Sequence, residues 1–177
     1  MIRIPITEEH KNNVRMRYLQ VGEKIRNCGL KSRFNTNYEE NNKIGMLGEE
    51  IFKQYLIDIA VRYATDEPVG QPDKYDFLIR GKRIDLKTAL RIMPMHELKD
   101  NYNLFLQKHQ LGLHGDIYIW IFINGRDFDH AENAFIIGWM RADRIKDFPI
   151  EERYASPCYS IPLGEVNPPE MIRFIGV

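Results

Sequence analysis

Cysteine is scarce in this chain, whose 177 residues include only Cys28 and Cys158. Two cysteines this far apart in the sequence build neither a disulfide framework nor the closely spaced pairs of a zinc site. The five histidines show no zinc-finger spacing and no helical pairing either. These absences exclude the small disulfide-stapled and zinc-finger classes. They indicate a reducing compartment, so we expect a cytoplasmic (intracellular) protein.

Long apolar runs are also lacking. The longest one, residues 117–123, has seven residues, whereas a membrane-spanning helix needs about 20. The chain does not begin with the charged and then apolar pattern of a signal peptide. We therefore expect no membrane partner, and the apolar run predicts a buried β-strand instead.

An excess of charge of one sign is absent as well, because 25 basic residues balance 25 acidic residues. Overall charge therefore gives no support for nucleic-acid binding. The basic residues are nevertheless concentrated near the start, where residues 1–34 contain eight of them against three acidic residues. Such a segment can hold phosphates, although a solvated helix surface explains it equally well. The candidate nucleic-acid-binding residues are Lys11, Arg15, Arg17, Lys24, Arg26, Lys31 and Arg33.

Length and composition favour one soluble globular domain, since 44% of the residues are hydrophobic and 28% are charged. We divide it into a basic helical N-terminal extension (residues 1–42), a core (43–145) and an extended C-terminal tail (146–177). Periodicity and turn residues predict the individual elements. The expected helices cover residues 7–25, 45–57, 98–111 and 141–145, the expected strands cover 77–80, 83–87, 116–123 and 134–140, and an Asn-rich loop covers 35–42.

The most informative stretch is residues 75–88, where charged and aliphatic residues alternate. Asp85 and Lys87 share one face of an extended strand, while the aliphatic residues beside them face the core. A turn at residues 81–82 would fold the preceding strand back and bring Asp76 towards Asp85. Two carboxylates and a lysine can together hold a hard cation beside a phosphodiester. The ordinary alternative is the solvated face of a strand.

Upstream, residues 45–57 repeat apolar side chains at helical spacing and predict an amphipathic helix. Its first turn would carry Glu49 and Glu50. A carboxylate near a helix N-terminus is stabilised by the helix dipole. This structural role explains one of the two glutamates and leaves the other available for a functional site. Gly45 and Gly48 would let this helix approach another backbone or a bulky substrate closely.

This order of elements resembles the PD-(D/E)xK nuclease superfamily. A helix with Gly-x-x-Gly-Glu comes first, an aspartate follows, and a strand with Asp-x-Lys comes next. The similarity covers roughly residues 43–143. The residues that match the superfamily motif are Glu49 as the helix acid, Asp76 and Asp85 as the hairpin carboxylates, and Lys87 as the lysine.

The match departs from the motif at one position. No proline immediately precedes Asp76, while the pair Pro72-Asp73 lies three residues earlier. Asp76 fits better, because a predicted strand follows it directly and Asp73 lies in a turn region. Glu50 remains an alternative to Glu49 as the helix acid.

The resemblance implies an α/β (α+β) fold with a restriction-endonuclease-like core, a central mixed β-sheet flanked by helices and an N-terminal helical extension. It also implies Mg²⁺ as the cofactor, with Mn²⁺ as a substitute, because phosphodiester hydrolysis needs an activated water and neutralised charge. Lys87 would stand beside the attacking water, and Gln110 is a further candidate site residue. The implied metal ligands are Asp76, Asp85, the backbone carbonyl of Leu86, and Glu49.

The resemblance therefore implies a metal-dependent endonuclease that hydrolyses phosphodiester bonds of DNA, and RNA is left open as a substrate. The resemblance also implies a homodimer, since cutting two strands needs two sites. Two alternatives from other classes stay open. One is a catalytically silent nucleic-acid-binding module of the same fold, and the other is a structural or inhibitory interaction protein.

Overall fold

The alternating and helical patterns of the sequence fold into helices and β-sheets. The computed structural model describes residues 1–27, 38–66, 75–92, 97–98, 102–113, 115–153 and 156–176. The predictions for Cys28, Lys31, Arg33 and Asp73 lie outside these residues. In chain order the elements are β1 (Ile2–Pro5), α1 (Glu8–Asn27), α2 (Tyr38–Asp58), β2 (Phe77–Ile79), β3 (Lys82–Arg91), β4 (Asn103–Gln107), β5 (Ile117–Asn124), β6 (Asn133–Arg141), α3 (Ala142–Ile145), β7 (Ile150–Arg153) and β8 (Ser156–Pro162).

The central sheet has five strands within the described ranges, in the order β1-β6-β5-β3-β2. β3 and β5 run parallel and the other neighbours are antiparallel, so the predicted mixed α and β class is confirmed. β5 is buried on both faces because its two alternating sets of side chains are both apolar. The isoleucines pack towards the helices, whereas Tyr118, Trp120 and Phe122 pack on the opposite face.

A second sheet, in the order β4-β8-β7, covers this aromatic face. The predicted helix over residues 98–111 is wrong, because β4 and a 3-10 helix at Lys108–Gln110 lie there. Leu104 and Leu106 are both buried in the aromatic cluster, and burial with a period of two requires a strand. The C-terminal tail is extended over β7 and β8, and this hairpin pairs with β4. The prediction of an extended tail is wrong beyond Pro162, where 3-10 helices cover Leu163–Glu165 and Pro169–Phe174.

α1 starts where the sequence predicts, after a cap at Thr7. The Thr7 hydroxyl accepts a hydrogen bond from the N–H of His10 (3.3 Å), and the Thr7 N–H donates to Nδ1 of His10 (3.1 Å). Lys24 and Arg26 are backbone positions of this helix. No helix in the described part of the chain has both the length and the apolar character to cross a bilayer.

α2 begins at Tyr38, so the predicted loop over residues 35–42 is wrong from that residue onward. Tertiary contacts outweigh the weak helix propensity of asparagine, and an ion pair of 2.7 Å one turn apart joins Glu39 to Lys43. The early start places Glu49 in the interior of the helix. Stabilisation by the helix dipole, which acts on the first turn, therefore does not explain this acid.

β2 and β3 form the predicted hairpin, with the turn one residue earlier than expected. Arg80 and Gly81 have φ angles of 47° and 76°, and positive values at both central residues are typical of a type I′ turn. Phe77 lies opposite Ile84, so the short β2 covers only the beginning of β3. Within the described residues no strand pairs with the rest of this edge, from Leu86 onward.

Candidate active site

β3 carries Asp85 and Lys87 on the face that is turned to the second sheet. Asp85 is only 6% exposed, and its Oδ1 lies 2.8 Å from Nζ of Lys87. The same ammonium lies 5.6 Å from the centre of the Tyr118 ring. Ile84 and Leu86 point to the opposite face and pack in the core beneath the helices. The predicted division of this strand into a charged and an aliphatic face is therefore confirmed.

The hairpin fixes Asp76 at the edge of β3. Its N–H donates to the carbonyl of Ile84 (3.0 Å), and its Oδ2 accepts a hydrogen bond from the N–H of Leu86 (2.6 Å). The N–H and C=O of one strand residue point to the same edge, so the Leu86 carbonyl lies on this side too. The pKa of Asp76 is raised to about 7, first by burial and then by the charge of Glu49, against the opposing effect of the Leu86 N–H.

Glu49 comes to the same place from α2, because this helix lies very close to β3. A Cβ built on Gly48 would lie 2.0 Å from Oγ1 of Thr88, so only glycine permits this approach. The carboxylate of Glu49 forms an ion pair with Arg17 of α1. These two side chains are 22% and 27% exposed, respectively. The ion pair thereby connects α1 directly to the candidate site.

The side chains of Glu49, Asp76, Asp85 and Lys87 line one cavity of about 670 Å³ between α2, β3 and the second sheet. Glu50 instead lines a smaller cavity of about 230 Å³, whose wall also includes Glu49 and Asp76. Glu49 and Asp76 thus border both cavities, whereas Glu50 borders the smaller one. The predicted residues that line the larger cavity are Glu49, Asp76, Asp85, Leu86, Lys87 and Gln110.

The oxygen atoms in the larger cavity suit a hard cation, since Mg²⁺ prefers carboxylate and carbonyl ligands. Oδ2 of Asp85 is buried, and it has no hydrogen-bond partner among the described residues. A buried acceptor of this kind is costly unless something binds it. No three acidic, His or Cys side chains in the described ranges already stand together as ligands of one ion. The donors that fit Mg²⁺ or Mn²⁺ by their chemistry are the carboxylates of Asp76, Asp85 and Glu49 and the carbonyl of Leu86.

The candidate nucleic-acid-binding residues with described side chains make contacts inside the protein. Nζ of Lys11 donates to the carbonyl of Asp129 (2.7 Å), and Arg15 pairs with the carboxylate of the same residue at 2.8 Å. Arg17 pairs with Glu49. These contacts attach α1 to the rest of the fold, and nucleic-acid binding by this helix stays a prediction.

The cavity also has polar walls that the motif does not include. Arg91 continues the alternation of Asp85 and Lys87 to the end of β3, a signal that is visible in the sequence. Asn42 falls in the segment for which the sequence predicts a loop, and Trp120 falls in a strand predicted to be buried. Both line the cavity, which is formed by packing between elements that are distant in the sequence.

Comparison of this chain with models of protein families, with curated proteins and with solved structures gives no match. The functional assignment therefore depends on the geometry and chemistry of the cavity itself.

Proposed function

We propose that this protein is a metal-dependent endonuclease that hydrolyses phosphodiester bonds of DNA on a restriction-endonuclease-like core. One observation supports this most. Side chains from α2, from the residue before β2 and from β3 border a single cavity: Glu49, Asp76, Asp85 and Lys87. The alternative of a solvated strand face does not account for an aspartate that is 6% exposed beside two further acids.

Asp76 and Asp85, with the Leu86 carbonyl, would hold the metal ion. When bound, Mg²⁺ or Mn²⁺ supplies an activated water and neutralises charge that develops on the phosphate. The hydrogen bond from the Leu86 N–H fixes the Asp76 carboxyl group along the edge of β3. Oδ2 of Asp85 offers an acceptor that the described residues leave unused.

Lys87 acts as a fixed positive charge in this proposal. Its Nζ is held 2.8 Å from Asp85, so it stands beside an acid that would hold the metal. An ammonium at this point stabilises a phosphate oxygen or an attacking hydroxide. Glu49 borders the same space, and its carboxylate can orient a water once it exchanges its ion pair with Arg17.

Cleavage of supercoiled plasmid DNA and of circular single-stranded DNA in Mg²⁺, Mn²⁺ or EDTA tests this proposal. Asp85→Asn and Lys87→Met should each lower the metal-dependent rate about 100-fold or more, the usual effect of removing one electrostatic group from an active site. Lys82→Met, at the exposed start of the same strand, is the matched control and should cut like the wild type. Cutting that needs no metal, or that survives Asp85→Asn, would contradict the proposal.

The same assay separates the alternatives. A catalytically silent binding module would retain plasmid DNA in a mobility-shift gel without cutting it in any metal. A structural or inhibitory protein would neither bind nor cut. Cleavage restricted to an RNA of the same sequence would keep the metal site and change the substrate.

A further inference from the structure

The cavity of the candidate site extends beyond the acids, along β3 towards Arg91. Within the described residues, five buried side-chain nitrogen or oxygen atoms have no hydrogen-bond partner. Such atoms are uncommon in folded proteins, because each costs free energy unless a partner or a water satisfies it. Four of the five belong to residues that line this one cavity: Nδ2 of Asn42, Oδ2 of Asp85, Nε of Arg91 and Nε1 of Trp120.

These four atoms comprise one acceptor and three donors. The acceptor, on Asp85, belongs to the acidic end where the metal would bind. The donors are an amide on Asn42, a guanidinium on Arg91 and an indole on Trp120. Trp120 is only 2% exposed, so bulk water does not reach its N–H. Three N–H donors that include a positive charge suit an anionic acceptor, because charge-assisted hydrogen bonds are the stronger ones.

Arg91 is held in place without an acidic partner. Its guanidinium carbon lies 4.8 Å from the centre of the Phe122 ring, and its Nη1 donates to the carbonyl of Leu90 (3.1 Å). In the described part of the chain no acidic side chain forms an ion pair with it. Its charge therefore remains available to an anion that enters the cavity.

Arg91 lies at the far end of β3 from the acids, whereas Trp120 of β5 pairs with Lys87 and lies close to them. A strand rises about 3.3 Å per residue, so Asp85 and Arg91 are separated by about 20 Å. This length exceeds one nucleotide, since successive phosphates of one DNA strand are about 3.4 Å apart along the duplex axis. The wall between the two ends carries further neutral amides, which suit sugar and base edges: Asn41, Asn103 and Gln107.

We infer that the cavity wall that carries Asn42, Arg91 and Trp120 binds successive backbone phosphates on one side of the scissile bond, and that the substrate is single-stranded DNA or a frayed end. This inference rests on the proposed nuclease function. A continuous duplex is too wide to enter a cavity of this size, whereas a single strand can enter it. The volume of about 670 Å³ falls in the range of pockets that enclose most of a bound ligand.

Fluorescence anisotropy with a labelled single-stranded oligothymidylate, in EDTA so that nothing is cut, tests this inference. Asn42→Asp replaces an N–H donor by an acceptor of nearly the same shape. Arg91→Met keeps the stem over Phe122 and removes the N–H groups. Each variant should weaken binding roughly tenfold, as expected for a lost hydrogen bond to a charged group. A duplex that contains the same thymidylate strand should bind the wild type roughly tenfold more weakly.

Arg144→Met is the matched control, because it removes an arginine that is 70% exposed on α3 and should leave affinity unchanged. Thermal melts verify that each variant is folded. Unchanged affinity in both cavity variants, or equal affinity for single strand and duplex, would overturn the inference. Single-strand binding that depends on Asn42 and Arg91 in a protein that cuts no DNA would support this site and refute the nuclease. Metal-dependent cutting with unaltered binding in both variants would support the nuclease and refute this phosphate site.

Discussion

Gly45→Ala should stabilise this protein and Gly48→Ala should be clearly less stable than Gly45→Ala, although both replace a glycine of α2. A Cβ at position 45 meets no atom within 4 Å. A Cβ at position 48 would lie 2.0 Å from Oγ1 and 2.9 Å from Cγ2 of Thr88. Carbon atoms in contact are normally about 3.5–4.0 Å apart. α2 and β3 would therefore have to separate by about 1 Å or more to admit the methyl group.

The two substitutions can be compared directly, because both gain the same helix propensity. Replacing a helical glycine by alanine stabilises by about 1 kcal/mol. That gain cancels in the comparison, and the difference between the variants isolates the cost of overpacking, about 1–3 kcal/mol. In a domain of this size each kcal/mol shifts Tm by about 2–4 °C. Gly45→Ala should thus melt above the wild type and Gly48→Ala below Gly45→Ala.

Urea unfolding followed by circular dichroism measures both free energies. The double variant Gly48→Ala/Thr88→Ala lacks Oγ1 and Cγ2 and keeps only the contact of 3.0 Å with Cβ of residue 88. It should therefore recover part of the loss, as a coupled pair does. Equal stabilisation by Gly45→Ala and Gly48→Ala, or no recovery in the double variant, would refute the close approach of α2 to β3. Gly48→Ala should also slow cleavage, because it displaces the adjoining Glu49.

Three further predictions concern the site. The pKa of Asp76 is raised from 3.8 to about 7. Between about pH 4 and 7 the folded state therefore keeps this proton, whereas the unfolded state loses it. The free energy of unfolding consequently falls as the pH rises through this window. Asp76→Asn should abolish that fall and add about 2–4 kcal/mol at pH 8 in urea unfolding; an unchanged slope would argue against the buried acid. Gly115→Ala should reduce cleavage roughly tenfold, because its Cβ would lie 2.8 Å from that of Asp85; wild-type cleavage rates would exclude this crowding. Arg17→Gln should tighten Mn²⁺ binding in calorimetry by roughly two- to fivefold, since it removes the cation that competes for Glu49; weaker binding would show that the pair supports the metal site.

Local patterns predict the parts of this fold that depend on neighbouring residues. The alternation around Asp85 identifies β3 and its two faces, and the Thr7 cap identifies the start of α1. β4 escapes prediction because it pairs with β8, far away in the sequence. Helical spacing and strand spacing are both compatible with a short apolar segment, and only the long-range partner decides between them.

The candidate site shows the same division. Asp85 and Lys87 share a face because of strand periodicity, and this alternation can be read directly from the sequence. The presence of Asn42 and Trp120 in the wall of one cavity depends on how α2 and the second sheet pack around β3. The contacts of Lys11 and Arg15 with Asp129 also join segments that are distant in the sequence. Charge clustering alone does not reveal them.

The central claim is that the cavity bordered by the matched acids is a metal-dependent nuclease site, and two adjacent glutamates of α2 test it most directly. Glu49 borders the larger cavity and Glu50 borders only the smaller one. In cleavage of circular single-stranded DNA with Mg²⁺, Glu49→Gln should lose about 100-fold or more of the rate. Glu50→Gln should stay within about twofold of the wild type, as a substitution outside the site does. Equal losses in the two variants, or no metal-dependent cleavage by the wild type, would contradict the account.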